Sequence, residues 1–281
     1  MRKLSANLIL PVSSPPLKNG IITLDERGRI TDLTDTGGRL REERALEYYN
    51  GVIVPGFVLP WFPANYSALK NGTIASLEKL NLELPRYGIK GIGLVLSVEN
   101  SSDAGFKIMA SSDTIYHPVI ELCPGPDEDH FKLLNRGIDL VSHAFNEFNL
   151  SCSLTACSEA MKGDLGKYLR EYSVLHENVI PPSAAGSPSA VSQHSQAEPS
   201  SAVSPPSAAG SSAVSESSPE NPLDILSRLL HPRKGIEEVI SVFTLDAAAA
   251  IFEHDELGSI EPGKRPGLNL IEGKNTLKVL V

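Results

Sequence analysis

Between positions 181 and 219 the chain changes character, and that break limits what the remainder can build. Of those 39 residues, 31 are Ser, Ala, Pro or Gly, and none is Lys, Arg, aromatic, Leu or Ile. The heptamer Pro-Pro-Ser-Ala-Ala-Gly-Ser stands at 181–187 and returns at 205–211, and Ser-Ala-Val-Ser occurs at 189–192, 201–204 and 212–215. Ordering such a segment costs about 1–2 kcal/mol per residue, and it has too little apolar surface to offset that. A disordered linker is the expectation. No Pro-x-x-Pro here is framed by Arg or Lys, so a Pro-rich docking motif is the weaker reading. Any folded unit has to be assembled from the 180 residues before this stretch and the 62 after it.

Those flanks are ordinary in composition. Hydrophobic residues make up 41% and charged residues 21% of the whole chain, which excludes bulk disorder. No apolar run approaches the roughly 20 residues of a membrane helix. Met1-Arg2-Lys3 leads into Leu4 to Val12 without a continuous apolar core or a cleavage site, so no signal peptide is expected. The net charge of −9 offers no basic footprint for nucleic acid or an anionic membrane. Cys123, Cys152 and Cys157 are odd in number and form no disulfide framework, which points to the cytoplasm.

The first 58 residues read as short strands, Leu8 to Leu10, Ile21 to Leu24, Arg29 to Leu33 and Val52 to Val54. Turn residues separate them, and a small antiparallel β unit is predicted. From Gly91 the rhythm becomes strand and helix in alternation. Strands are predicted at Gly91–Leu96, Ile115–Leu122 and Ser153–Ala156. Helices are predicted from an Asp103 cap to Ala110, over Asp127–Phe148 with a stripe of Phe131, Leu134, Ile138, Val141 and Phe145, and near Leu165–Leu175. Such alternation argues for βαβ units and a parallel sheet. After the linker, Pro222–Leu230 and Ile236–Phe252 read as helices, and Leu268–Ile271 and Leu277–Val281 as strands.

Three stretches carry a resemblance. They are Gly28-Arg29-Ile30 with Gly51-Val52-Ile53-Val54-Pro55-Gly56-Phe57-Val58; Asn221–Leu226 with Thr244–Ala249; and Leu257-Gly258-Ser259-Ile260-Glu261-Pro262-Gly263-Lys264-Arg265-Pro266-Gly267. Together they resemble the amidohydrolase superfamily, in its branch of adenosine-type and aminodeoxyfutalosine deaminases. The likeness covers about 1–160 and 220–281. It implies an α/β fold: an incomplete TIM barrel with a small β-sandwich built from both chain termini. The implied division is 1–55 with 258–281 as the composite sandwich, 56–180 with 220–257 as the partial barrel, and 181–219 as the linker.

The resemblance also implies chemistry, hydrolysis of C–N bonds by water on Zn²⁺ or a similar divalent metal. Family members carry His-x-His directly after the Pro-Gly-Phe strand. Trp61 and Pro63 stand at those two positions here. Indole only donates a hydrogen bond and proline has no side-chain lone pair, so neither binds a metal. Cys157 takes the place of a substrate-contacting His on the fourth strand. No His is placed to activate it and its spacing to Cys152 and Cys123 fits no zinc pattern, so it reads as a buried apolar Cys. The family's later ligands, on strands five, six and eight, would fall between about 175 and 220, where the linker's single imidazole is His194. His117 reads as a hydrogen-bonded structural residue, and His143, His231 and His254 as boundary or helix-end residues.

Trp61, Pro63 and Cys157 are thus degenerate site positions, with no catalytic or metal-binding residue assigned and no cofactor expected. The sequence reads as an amidohydrolase-like pseudoenzyme, a binding or interaction module with no nucleic-acid or membrane partner and an unspecified small-molecule ligand. A homodimer is expected, since the family forms them and a half-barrel leaves open edges. The alternative is a deaminase-like, metal-dependent hydrolase of C–N bonds, taking ligands from His117, Cys157 and a partner chain.

Overall fold

The computed structural model describes residues 1–63, 74–125, 128–157, 236–273 and 276–281. The linker at 181–219, the helices expected near 165–175 and 222–230, and His231 lie outside the described residues.

The N-terminal part supplies β1 (Arg2–Ile9), β2 (Leu17–Lys18), β3 (Ile21–Leu24), β4 (Ile30–Thr34) and β5 (Leu46–Pro55). A second run alternates β6 (Phe57–Pro63), α1 (Ile74–Glu83), β7 (Ile89–Ser97), α2 (Asp103–Ala110), β8 (Ile115–Leu122), α3 (His130–Phe148) and β9 (Ser153–Ala156). The C-terminal part contributes α4 (Ile236–Phe243), α5 (Leu245–Ala250), β10 (Leu268–Glu272) and β11 (Thr276–Val279).

Strands from both ends of the chain share one seven-stranded sheet, ordered β11-β10-β5-β1-β3-β4 with β2 on β1. The unit is not wholly antiparallel, as its turn-rich sequence predicts. Strands β1 and β5 run parallel, because the chain crosses β3 and β4 before returning. Its core gathers Leu4, Ile9, Ile22, Ile53, Leu268 and Leu270, so residues over 200 positions apart bury one another. The stretch from Leu257 to Gly267 stitches the ends together. Ile260 N–H donates to Pro11 O at 3.0 Å, Gly263 N–H to Ile30 O at 2.8 Å, and Ile30 N–H to Lys264 O at 2.9 Å. Arg29 donates to both carboxylate oxygens of Glu256, at 3.0 and 3.1 Å.

Gly56 is where the chain leaves this sheet and enters the next. A Cβ there would stand 2.5 Å from Pro266 O, so only glycine lets the two strands turn apart this tightly. Phe57 N–H then donates to Gly88 O at 2.8 Å, and the buried Asn269 amide donates to the same oxygen at 2.9 Å. One carbonyl thereby couples β6, β7 and β10.

The second sheet is parallel, ordered β6-β7-β8-β9, and curls into half of a TIM barrel. Its outer face packs against α1, α2 and α3 through Ile92, Leu94, Leu96, Ile120, Leu122 and Leu154. The cap of α2 is Ser102, which accepts from Gly105 N–H; Asp103, the sequence expectation, occupies the first turn instead. Helix α3 is capped by Asp129 and buries Leu133, Leu134, Gly137 and Ala144. Gly137 sets this face, because a Cβ there would press on Leu122 and Leu154. The predicted stripe is accordingly rotated: Leu134 is buried, but its ends Phe131 and Phe145 are exposed. The helix expected over 236–252 is broken at Thr244, whose buried hydroxyl donates to Ile240 O at 2.7 Å. Among the described residues no helix is long and apolar enough to cross a membrane.

Candidate functional site

Alternation along parallel strands gives the half-barrel two faces. The odd-numbered residues of β7, β8 and β9 turn away from the helices, and this inner face carries the polar side chains. They include His117 and Glu121 on β8, Ser153 and Thr155 on β9, with Val95 and Val119 packed together between them. Near the N-terminal ends of the strands, Ala247, Ala248, Ile251 and Leu257 close the face over Val58 and Ile115. Gly91 and Gly93 make room, since a Cβ at either would collide with Leu257 or with Pro60 O.

His117 is fully buried there. Its Nε2 lies 2.6 Å from Ser153 Oγ, its ring centroid lies 5.9 Å from that of Phe252, and Nδ1 has no partner among the described residues. Burial pulls its pKa down to about 4, so the ring is neutral at physiological pH. Next to Phe252 in the chain, Glu253 is pushed up to about 7 by burial, with the charges of Glu256 and Asp255 adding to the shift. His143 instead reaches Asp103 at 2.9 Å on the outer side, and His254 is exposed.

The C-terminal edge of the sheet is where a TIM barrel carries its chemistry. Trp61 and Pro63 lie at this end of β6, Pro63 in register with Val95. Cys157 follows the last residue of β9, its N–H donating to Leu122 O at 3.2 Å. Trp61, Pro63 and Cys157 therefore reach one edge, although β6 and β9 are its outer strands, roughly 14 Å apart along the sheet. Cys157 is half-buried rather than the buried residue the sequence suggests; Cys152 is the buried thiol. The register also sets Cys123 beside Cys157, an adjacency that sequence reading missed because it depends on how β8 and β9 slide. Burial pushes the Cys123 thiol up to about 12, with Cys157 and the Glu121 carboxylate reinforcing it, so Cys123 stays protonated.

These residues do not fit a divalent metal. Indole and proline supply no ligand atom. Among the described residues no three His, Cys, Asp or Glu side chains are grouped to hold an ion. The pair invoked for an active enzyme, His117 and Cys157, is not brought together. In register they stand six residues apart along the sheet, roughly 20 Å.

No family model matches the sequence, and no curated protein matches it. Solved structures do. Guanine deaminase of E. coli superposes with a TM-score of 0.56 at 12% identity, over 96% of this chain and 88% of that one. A zinc-bound adenosine deaminase from Xanthomonas campestris gives 0.51 at 11% identity, over 95% and 83%. The fold is that of the amidohydrolases. At such identities the likeness concerns the backbone alone. In the order β6-β7-β8-β9, Trp61 and Pro63 lie on the first strand and Cys157 follows the fourth.

Proposed function

We propose that this chain is an amidohydrolase-fold pseudoenzyme, a binding or interaction module of the cytoplasm without hydrolytic activity. One observation carries the reading. The C-terminal end of β6, where amidohydrolases resemble one another in a His-x-His pair, holds Trp61 and Pro63. Activating water requires a metal with at least three protein ligands and a base beside it. Losing both first-strand donors removes the centre of such a site. The separation of His117 from Cys157 weighs against the alternative of a C–N hydrolase with a rearranged ligand set. That alternative draws its support from the deaminase neighbours, whose shared fold does not by itself convey activity.

The test is to restore the pair. Trp61→His with Pro63→His places two imidazoles at the strand end, and the variant is titrated with Zn²⁺ and assayed on adenosine and guanine. Weak metal binding without turnover is the expected result, because two ligands do not complete a catalytic site. Turnover in the double variant would show that the remaining ligands exist elsewhere in the chain, leaving two substitutions as the whole loss.

A further inference from the structure

The end of the half-barrel opposite to Trp61, Pro63 and Cys157 carries a charged feature that the proposed function does not use. Where the two sheets meet, a pocket of about 90 Å³ is lined by Arg27, Lys90, Arg265 and Asp113, with Ile115 and Leu257. The cations come from three separate places: the turn between β3 and β4, the second residue of β7, and the loop entering β10. Converging them is unfavourable on its own. Burial pulls the Lys90 ammonium below its ordinary value; Asp113 opposes that shift and Arg265 adds to it. Among the described residues, none of the three cationic side chains closes an ion pair.

Lys90 is held in this position. A Cβ at Gly56 would stand 2.6 Å from Lys90 Cγ, and one at Gly267 would overlap the same stem. Gly267 also has φ at +70°, which side chains other than glycine rarely adopt. Two glycines at the junction therefore leave a channel along which the lysine stem lies, half-buried, with its ammonium delivered to the pocket. A surface lysine free to choose would extend into water.

We propose that this pocket binds a small tetrahedral oxyanion, either inorganic phosphate or the phosphate group of a phosphomonoester. The lining sets three cations against the Asp113 side chain and Val281, the last residue of the sequence, so cations still outnumber carboxylates and the site favours an anion. Guanidinium forks match pairs of phosphate oxygens and an ammonium adds a compact charge. The site lies at the N-terminal ends of β7 and β8, so it stands whether or not the opposite edge is catalytic.

The full chain is titrated with inorganic phosphate at low salt and followed by calorimetry. Saturable one-site binding is expected, weakened about tenfold or more by Lys90→Met and likewise by Arg265→Gln, since each removes a charged donor. Lys278→Gln serves as the control, because that ammonium lies over the Tyr49 ring at 5.1 Å on another part of the sheet; it should leave binding unchanged. Thermal melts establish that each variant is folded, and Arg265→Gln alone decides the matter if Lys90→Met does not fold. Phenyl phosphate displacing inorganic phosphate would identify the phosphomonoester as the ligand class, and failure to displace it would identify the free ion. Absence of saturable phosphate binding, or binding that survives either substitution in folded protein, overturns the proposal. Neither readout involves turnover, so its failure is separate from any failure of the pseudoenzyme reading.

Discussion

A chain that stops at Ile260 will aggregate or melt far below the full-length protein. The cut removes β10 and β11, and with them Leu268, Leu270 and Leu280, all buried in the core of the seven-stranded sheet. Burying three leucines contributes about 5–9 kcal/mol. Whole domains are stable by only about 5–15 kcal/mol, so the loss is comparable to the total. Two further losses add to it. Strand β5 loses its antiparallel partner over Val52–Pro55, exposing an apolar edge, and Gly88 O loses the amide of Asn269. Light scattering and a thermal melt measure the outcome; unchanged solubility and melting would contradict the shared sheet.

Once the Glu253 carboxyl is removed by substitution, acid will destabilise the protein through His117. Its ordinary pKa of 6.5 falls to about 4 in the folded chain, so below pH 6.5 the unfolded state takes up a proton that the folded state refuses. The stability tied to the neutral ring is complete above pH 6.5 and is lost as pH falls toward 4, by about 3 kcal/mol in all. Glu253 has the opposite sign. Its pKa rises from 4.5 to about 7, so its contribution is full below pH 4.5 and declines as pH climbs through 7. Urea unfolding across pH 4–8 separates the two. The two contributions oppose each other between pH 4.5 and 6.5, so Glu253→Gln should uncover the loss of stability on acidification and His117→Asn the loss on raising pH from 4.5 to 7; acid sensitivity that persists when both are substituted would assign it to other groups.

How far the sequence discloses all this depends on whether local pattern or long-range pairing decides. Strands β8 and β9 lie where their apolar runs end, at Ile115–Leu122 and Ser153–Ala156, because turn residues bound both. Strand β5 is different. Its first half, Leu46 to Asn50, is polar and half-exposed, and it is held as a strand by pairing with β1 and by the Arg2–Glu47 ion pair at 2.6 Å. Nothing near position 46 announces that partner. The same limit applies to sites. Trp61, Pro63 and Cys157 follow from counting along a resembling motif, and strand order alone carries them to one edge. The Ser153 contact to His117, the Cys123–Cys157 adjacency and the convergence of Arg27, Lys90 and Arg265 depend on register and on a crossover between sheets. The one local signal for the last is a lysine, Lys90, inside the apolar run Ile89–Leu96.

Deaminase turnover of the unmodified chain decides most directly whether the edge at Trp61, Pro63 and Cys157 is catalytic. The purified full-length protein is assayed on adenosine and guanine with added Zn²⁺, and again after treatment with a chelator. With indole and proline where two imidazoles are needed, ammonia release should equal the protein-free background under both conditions. Release above background that the chelator abolishes and Zn²⁺ restores would contradict the pseudoenzyme reading.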